Sequence, residues 1–124
     1  GNDGAFICSG ITVKYAICAA KRIFENTARQ IRVVDMHTIK PIDRQAVIEA
    51  ATTGCIVVAQ DHNIVGGLGY AVASVLAEEG IAVPFANLGF LDRFVSMAHA
   101  PFLYHQFGYD DIGLEKKMVE LLQI

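Results

Sequence analysis

The most informative pattern of apolar and polar positions lies between Cys55 and Ala77. Residues 55–59 are apolar and rich in β-branched side chains, which favours a buried strand. Four polar residues, 60–63, follow as a predicted elbow, and glycines then open a helix. The core-type positions of that helix are Leu68, Val72, Val75 and Leu76. Beside them runs a stripe of small residues, Gly69, Ala73 and Ala77, that would let another backbone approach closely.

Similar alternation predicts the other elements. Short apolar runs favour strands at residues 5–8, 31–35 and 81–88. Pro84 in the last run indicates either an edge strand or the first residues of the strand. A first helix is predicted from an N-cap at Thr12 to about Asn26. Its expected buried face consists of Val13, Ala16, Ile17, Ala20, Ile23 and Phe24.

Two further helices are predicted after the second strand. Residues 36–43 form a loop, since Pro41 excludes a continuous helix, and Asp43 is the predicted N-cap of the short helix that follows. After residues 89–94, an aromatic stretch that runs to Phe107 is expected to be irregular. Residues 108–111 cap a last helix, whose apolar side holds Ile112, Leu114, Met118, Val119 and Leu122.

Strands that alternate with helices indicate a single α/β domain spanning residues 1–124. We expect a three-layer α/β/α arrangement of Rossmann-like topology, with a mostly parallel sheet of about five strands. Ligands and partners meet such sheets at the carboxyl ends of the strands. The loops there place a set of polar side chains along one rim: Ser9, Asp35, His37, Lys40, Asp61, His62 and Asn63.

Composition narrows the function classes. The 124 residues are 53% apolar and 19% charged, which excludes disorder, and the net charge of −3 with scattered basic residues argues against nucleic acid. No apolar run approaches the roughly 20 residues of a membrane helix. Residues 1–4 read as a cut linker without a signal peptide. Three cysteines without a CxxC motif fit a reducing cytoplasm, and the histidine spacing does not suggest a metal site.

Three motifs each have a structural and a functional interpretation. Gly67 and Gly69 resemble a dinucleotide fingerprint only weakly, because seven residues separate them from the strand, so close packing is favoured. Asp61 beside His62 suggests a general base, but no nucleophile setting is present, and hydrogen bonding to another domain or subunit is favoured. In residues 92–94, Phe94 either fills the core or anchors an interface, with the core role favoured. His99 and His105 are expected to be satisfied or surface histidines.

Three separated segments, in this order, resemble the C-terminal domain of the transketolase family. They are residues 33–43 (VVDMHTIKPID), 61–69 (DHNIVGGLG) and 92–94 (DRF). The resemblance implies a thiamine diphosphate-dependent enzyme: a transketolase, a 1-deoxy-D-xylulose-5-phosphate synthase or a 2-oxo-acid dehydrogenase β subunit. The DRF segment is closest to the first two groups. His37, where an arginine is common, and the apolar segment 95–101 depart from the family pattern.

In that family, the diphosphate of the cofactor is held through a metal ion by one domain, and a second domain activates the aminopyrimidine. The resemblance therefore implies that this third domain has no catalytic, cofactor-binding or metal-binding residues and helps to form a homodimer. The parent enzyme would hold thiamine diphosphate and Mg²⁺ and would transfer two-carbon units between sugar phosphates. Contacts to the N-terminal cofactor-binding domains or subunit are expected from Asp61, His62, Asn63, Gly66, Gly67, Gly69, Ala73 and Arg93.

Two alternatives of other classes stay open. In the first, the chain would be a stand-alone interaction domain without catalysis. In the second, it would be an α/β nucleotide binder.

Overall fold

A computed structural model describes residues 1–94 and 97–124, and within them it contains four strands and five helices. The strands are β1 (Gly4–Cys8), β2 (Ile31–Asp35), β3 (Ile56–Asn63) and β4 (Phe85–Phe90). The helices are α1 (Thr12–Thr27), α2 (Arg44–Ala51), α3 (Leu68–Glu78), α4 (Ala100–Gln106) and α5 (Asp111–Leu122). Val95 and Ser96, which begin the unusual apolar segment, lie outside the described residues.

The sheet is parallel throughout, in the order β2-β1-β3-β4, with β2 and β4 at its edges. One face packs side chains such as Ile7 and Val58 against α2 and α3. The other packs Phe6 and Val57 against α1 and α5. The α/β class with helices on both faces is confirmed, but the described residues form four strands where about five were expected.

Strand β3 is longer than the sequence predicted. Residues 60–63, expected to form an elbow, continue the strand to Asn63, which pairs with Phe90 beyond a register shift. The polar residues suggested that the chain leaves the sheet after residue 59. Gln60 is nevertheless completely buried, although an amide side chain is usually exposed. Burial of this amide is tolerated because its nitrogen donates two hydrogen bonds and its oxygen accepts one within the chain.

Helix α1 begins differently from the prediction. Ile11 holds the N-cap position without a side-chain bond, and Thr12 is the first helical residue. The buried Thr12 hydroxyl lies 2.7 Å from the Ser9 carbonyl oxygen and 2.9 Å from that of Ala59, so it ties the helix to β3 instead of capping it.

The buried face of α1 is also rotated from the expected one. Ala16, Ala19 and Ile23 are buried, whereas Ile17 and Phe24 are 56% and 50% exposed. Small side chains at Ala16 and Ala19 let the helix lie close to the sheet, whereas Ile17 and Phe24 point outward.

The predicted caps of two later helices are confirmed. Asp43 accepts a hydrogen bond from the backbone N–H of Ala46 (3.0 Å), and Asp110 accepts one from that of Gly113 (2.9 Å). Ile112, expected on the apolar side of α5, is exposed instead, because Leu114 and Met118 occupy the buried positions.

Helix α4 was not predicted, since the aromatic stretch between Phe94 and Phe107 was expected to be irregular. None of its residues is fully buried. It is held through the ring of Tyr104, which packs on Tyr15, and through Phe107, which packs on Phe90. Among the described helices, none combines the length and the apolarity needed to cross a bilayer.

Candidate functional site

A buried amide network closes the carboxyl end of β3. The Gln60 Nε2 donates to Asn87 Oδ1 (2.6 Å) and to the Leu88 carbonyl oxygen (2.7 Å), both on β4. The Gln60 Oε1 accepts a hydrogen bond from the backbone N–H of Gly69 (3.0 Å), at the start of α3. One side chain thus joins two strands and a helix. Its hydrogen bonds compensate for its loss of water.

The glycines before and within α3 make room for side chains of the same chain. A Cβ at Gly69 would overlap the Asn87 amide, and one at Gly67 would meet His62 Nε2 and Gln60 Oε1. Both glycines are buried. The close neighbour of Gly69 is therefore a side chain of β4 and not the foreign backbone that the small-residue stripe predicted.

The rest of the small-residue stripe and the remaining glycine face outward to different degrees. Ala73 is half-buried and Ala77 is exposed. Gly66 is exposed and has a φ of +72°, a backbone conformation that glycine adopts easily. Contact of these residues with a partner stays a prediction.

Asp61 accepts hydrogen bonds from two tyrosines. Tyr104 donates its hydroxyl at 3.1 Å and Tyr109 at 3.0 Å. Tyr109 is completely buried, and its ring contacts those of Tyr104 and Phe90. The pKa of Tyr109 lies far above its usual range. Burial is the main cause, and the hydrogen bond to Asp61 adds to it. Asp61 therefore anchors the segment after β4 to β3, and it does not orient the half-buried His62.

The described residues offer little reactive chemistry elsewhere in this region. Burial raises the pKa of the Cys8 thiol to about 12, so it stays protonated and unreactive at neutral pH. Among residues 1–94 and 97–124, no group of three His, Cys, Asp or Glu side chains could hold a metal ion.

The loops after β3 and β4 are fastened to each other. Asn63 donates to Asp92 Oδ1 (3.0 Å) and accepts from the backbone N–H of Val65 (2.8 Å). The Arg93 guanidinium lies 5.1 Å from the centre of the Phe107 ring. A cavity of about 310 Å³ lies among Asn63, Asp92, Arg93 and Phe94.

Phe94 contradicts the favoured sequence interpretation of the DRF segment. Its side chain is fully exposed, and so is that of Met97. The space beside the end of β4 is filled by Tyr109 and Phe107, which both pack on Phe90. Phe94 is therefore not needed in the core. The interface alternative therefore remains for this residue.

Two of the other rim residues lie together at a second place. Asp35 and His37 line a cavity of about 430 Å³ beyond the end of β2, whereas Lys40 is exposed and does not line it. Ser9 is half-buried at the end of β1 and accepts a bond from Thr12. Of the rim predicted from the sequence, Asp35 and His37 thus share one cavity, whereas Lys40 does not line it.

Sequence reasoning missed the tyrosine pair that holds Asp61 and the buried amide network. The partners of Asp61 are 43 and 48 residues away along the chain, and Asn87 is 27 residues from Gln60. The aromatic residues between 102 and 109 were the one signal, since a buried tyrosine hydroxyl usually finds a hydrogen-bond partner.

Together the fold and this site define a class: a doubly wound parallel α/β domain whose strand ends are closed by its own side chains. The chain belongs to the transketolase C-terminal domain family, whose model matches residues 1–113. The family resemblance drawn from the three sequence segments is therefore confirmed.

Individual relatives are longer than this chain. It is 40% identical over 116 residues to 1-deoxy-D-xylulose-5-phosphate synthase 1 of Geobacter sulfurreducens, covering 92% of this chain and 18% of the relative. It is 33% identical to a putative transketolase C-terminal section of Methanocaldococcus jannaschii, covering 97% and 37%. A solved structure described as a split-gene transketolase, an inactive β4 tetramer, superposes with a TM-score of 0.90 at 35% identity. That match covers 99% of this chain and 40% of the other.

Proposed function

We propose that residues 1–124 form one domain of a larger thiamine diphosphate-dependent enzyme, and that this domain serves assembly while the chemistry takes place elsewhere. The parent enzyme would be a cytoplasmic homodimer that transfers two-carbon units between sugar phosphates. It would hold thiamine diphosphate and Mg²⁺ in N-terminal domains or in a separate subunit. Support comes from the family and from relatives of which this chain spans 18% to 40%.

The side chains at the strand ends support a role without chemistry. Gln60 and Asp61, the two polar groups that begin the predicted elbow, both form hydrogen bonds within the chain. Their arrangement fixes the shape of the loops after β3 and β4.

The observation that carries the proposal is the exposure of Phe94 and Met97. We define the assembly surface as the exposed residues of these two loops: Asn63, Val65, Gly66, Leu91, Asp92, Arg93, Phe94 and Met97. Exposed apolar side chains bordered by polar ones are typical of protein interfaces. Phe94 is the expected anchor, because aromatic residues at the centre of an interface carry much of its binding energy.

The other residues proposed to contact a partner lie behind or beside this surface. Asp61, His62, Gly67 and Gly69 would act by holding its loops in place, and Ala73 would contact a partner from α3. Substitutions at the first four are expected to change assembly through the fold of the loops.

A second candidate reaction is the condensation of pyruvate with an aldose phosphate. It is favoured by the 40% identity to a 1-deoxy-D-xylulose-5-phosphate synthase. A dehydrogenase β subunit is a weaker alternative, because the DRF segment resembles the other two groups more closely. A stand-alone interaction domain would use the same surface without a cofactor-binding partner.

The proposal is tested by removing the two exposed apolar side chains in the parent enzyme. Phe94→Ser with Met97→Ser is expected to raise the dissociation constant of the assembly by about tenfold or more, because two apolar anchors are lost. Sedimentation velocity over a dilution series measures this change, and activity should fall with it.

The matched control is Ile17→Ser with Phe24→Ser, which removes two exposed apolar side chains from the outer face of α1. This variant should assemble like the wild type. Unchanged assembly of the Phe94/Met97 variant, or equal loss in both variants, would refute the assembly surface. Assembly without any thiamine-dependent partner would favour the stand-alone domain.

A further inference from the structure

Two opposite charges lie next to each other on the assembly surface without pairing. Asp92 Oδ1 accepts a hydrogen bond from Asn63 Nδ2 (3.0 Å), and the Arg93 guanidinium lies 5.1 Å from the centre of the Phe107 ring. Among the described residues, no ion pair joins Asp92 to Arg93. Different neighbours hold the two side chains, so the surface presents a negative and a positive group side by side.

Arg93 differs from the other arginines of the described chain. The side chains of those four all donate hydrogen bonds to carboxylate, amide or carbonyl oxygens: Arg22, Arg29, Arg32 and Arg44. For Arg93, the described residues provide an aromatic ring but no oxygen acceptor. Because a guanidinium has five N–H donors, a carboxylate from outside the chain matches it well.

The neighbouring Phe94 gives the same surface a projection beside a concave space. Its side chain is fully exposed. A cavity of about 310 Å³ lies among Phe94, Asn63, Asp92 and Arg93. The surface therefore has both an apolar ring that projects and a cavity that can receive a ring. Aromatic and arginine side chains are also the residues that most often anchor protein interfaces.

These paired features favour a particular partner. Where two identical copies meet across a two-fold axis, residue i contacts residue j and residue j contacts residue i. A copy turned about that axis presents its negative and positive groups in the reverse order, so each charge faces its opposite. A partner segment of one charge sign would attract one of the two residues and repel the other.

We propose that the assembly surface binds the same surface of a second copy of this chain across a two-fold axis. Arg93 of each copy pairs with Asp92 of the other, and Phe94 of each copy enters the cavity of the other. This inference rests on the proposed function, since it names the partner of the assembly surface.

Charge reversal in the parent enzyme tests this pairing. Asp92→Arg puts two positive groups on each surface and Arg93→Asp puts two negative groups there, so either variant alone meets itself with like charges. Each dissociation constant is expected to rise about tenfold or more, measured by sedimentation velocity over a dilution series. An equal mixture of the two variants restores both ion pairs and should assemble at least about tenfold more tightly than either alone. This recovery should diminish as salt is raised.

Matched controls separate the charge pairing from other effects. Lys21→Asp and Glu25→Arg reverse the same charges on the exposed side of α1, and both should assemble like the wild type, alone and mixed. Asp92→Asn keeps an oxygen that can accept the bond from Asn63, so it should weaken assembly less than Asp92→Arg does. Thermal melting of each variant shows whether it is folded.

The outcomes distinguish this inference from the proposed function. Weak assembly of both single variants without recovery in the mixture would overturn the second copy as the partner and leave the assembly surface standing. Unchanged assembly of the single variants would overturn the charge pairing. If Phe94→Ser with Met97→Ser also assembled normally, the assembly surface itself would be refuted.

Discussion

The amide of Gln60 determines how the carboxyl end of the sheet is built. It bonds Asn87 and Leu88 on β4 and the backbone of Gly69 on α3. A buried polar group left without partners costs roughly 1–3 kcal/mol, so the loss of a partner of the Gln60 amide destabilises the domain. Asn87 can reach Gln60 only because Gly69 has no side chain in its path.

Gly69→Ala is therefore expected to destabilise the domain. In an exposed helix interior this substitution usually stabilises by up to about 1 kcal/mol. Here the new methyl group would overlap the Asn87 amide and displace it from Gln60. We expect a net loss of about 1–3 kcal/mol in the free energy of unfolding, measured by urea denaturation, as for other overpacked sites.

Asn87→Ala provides the matched background for this measurement. Without the Asn87 amide there is room for a methyl group, so Gly69→Ala in that background should be neutral or stabilising. An equal loss in both backgrounds would show that Asn87 is not the close neighbour that requires glycine at position 69.

Among the elements, α1 and α5 are joined by a charged clasp on the surface. Arg22 of α1 contacts Asp111 (2.7 Å) and Glu115 (2.6 Å) of α5, and all three side chains are partly exposed. The hydrogen bond from Arg22 lowers the pKa of Asp111 below its usual value. The contribution to stability is modest, since ion pairs at the surface are screened by water.

This clasp predicts a specific response to acid. Asp111 has a lowered pKa in the folded state, so its contribution is present above the unfolded pKa of about 3.9. That contribution is lost as pH falls through the folded value. Arg22→Met should cost about 0.5–1 kcal/mol at pH 7 and should lose less stability than the wild type on acidification.

Denaturant unfolding at pH 7 and at pH 3 measures both effects. Lys21→Met is the control, because Lys21 only faces Glu25 at 3.9 Å on the exposed side of α1. The same acid response in Arg22→Met and in the wild type would contradict a role for the clasp.

The elements predicted correctly are those that depend on neighbours in sequence. The bounds of β2 and the Asp43 cap agree with the structure, since each depends on an apolar run or on a bond three residues away. The predicted elements were wrong where contacts with residues distant along the chain determine the local structure. Gln60 lies inside β3 because of Asn87, and α4 is held by aromatic rings outside its own segment.

The candidate site was predicted in part for the same reason. Asp61, Asn63 and Arg93 do lie at the carboxyl ends of the strands, as parallel strands require. The sequence did not reveal that Asp61 is bonded to Tyr104 and Tyr109 or that Phe94 is exposed. Both facts depend on which aromatic residue fills the space beside β4.

At the scale of the whole molecule, the carboxyl edge of the sheet has two distinct regions. The loops after β3 and β4 form the assembly surface, and the acidic cavity lies after β2, on the other side of β1 in the strand order. The first offers exposed apolar side chains and the second offers a negative concave site.

The last prediction follows from this division: the isolated chain should bind neither thiamine diphosphate with Mg²⁺, nor NAD, nor ATP. The start of a helix is the usual phosphate site of such folds. Here the backbone N–H of Gly69 is already bonded to Gln60, and the cavity beyond β2 is lined by two carboxylates. Isothermal titration calorimetry at pH 7 should show no saturable heat for the three ligands. The complete parent enzyme titrated with thiamine diphosphate and Mg²⁺ is the positive control. Micromolar binding of any of the three by the 124-residue chain would overturn the assignment of cofactor chemistry to other domains.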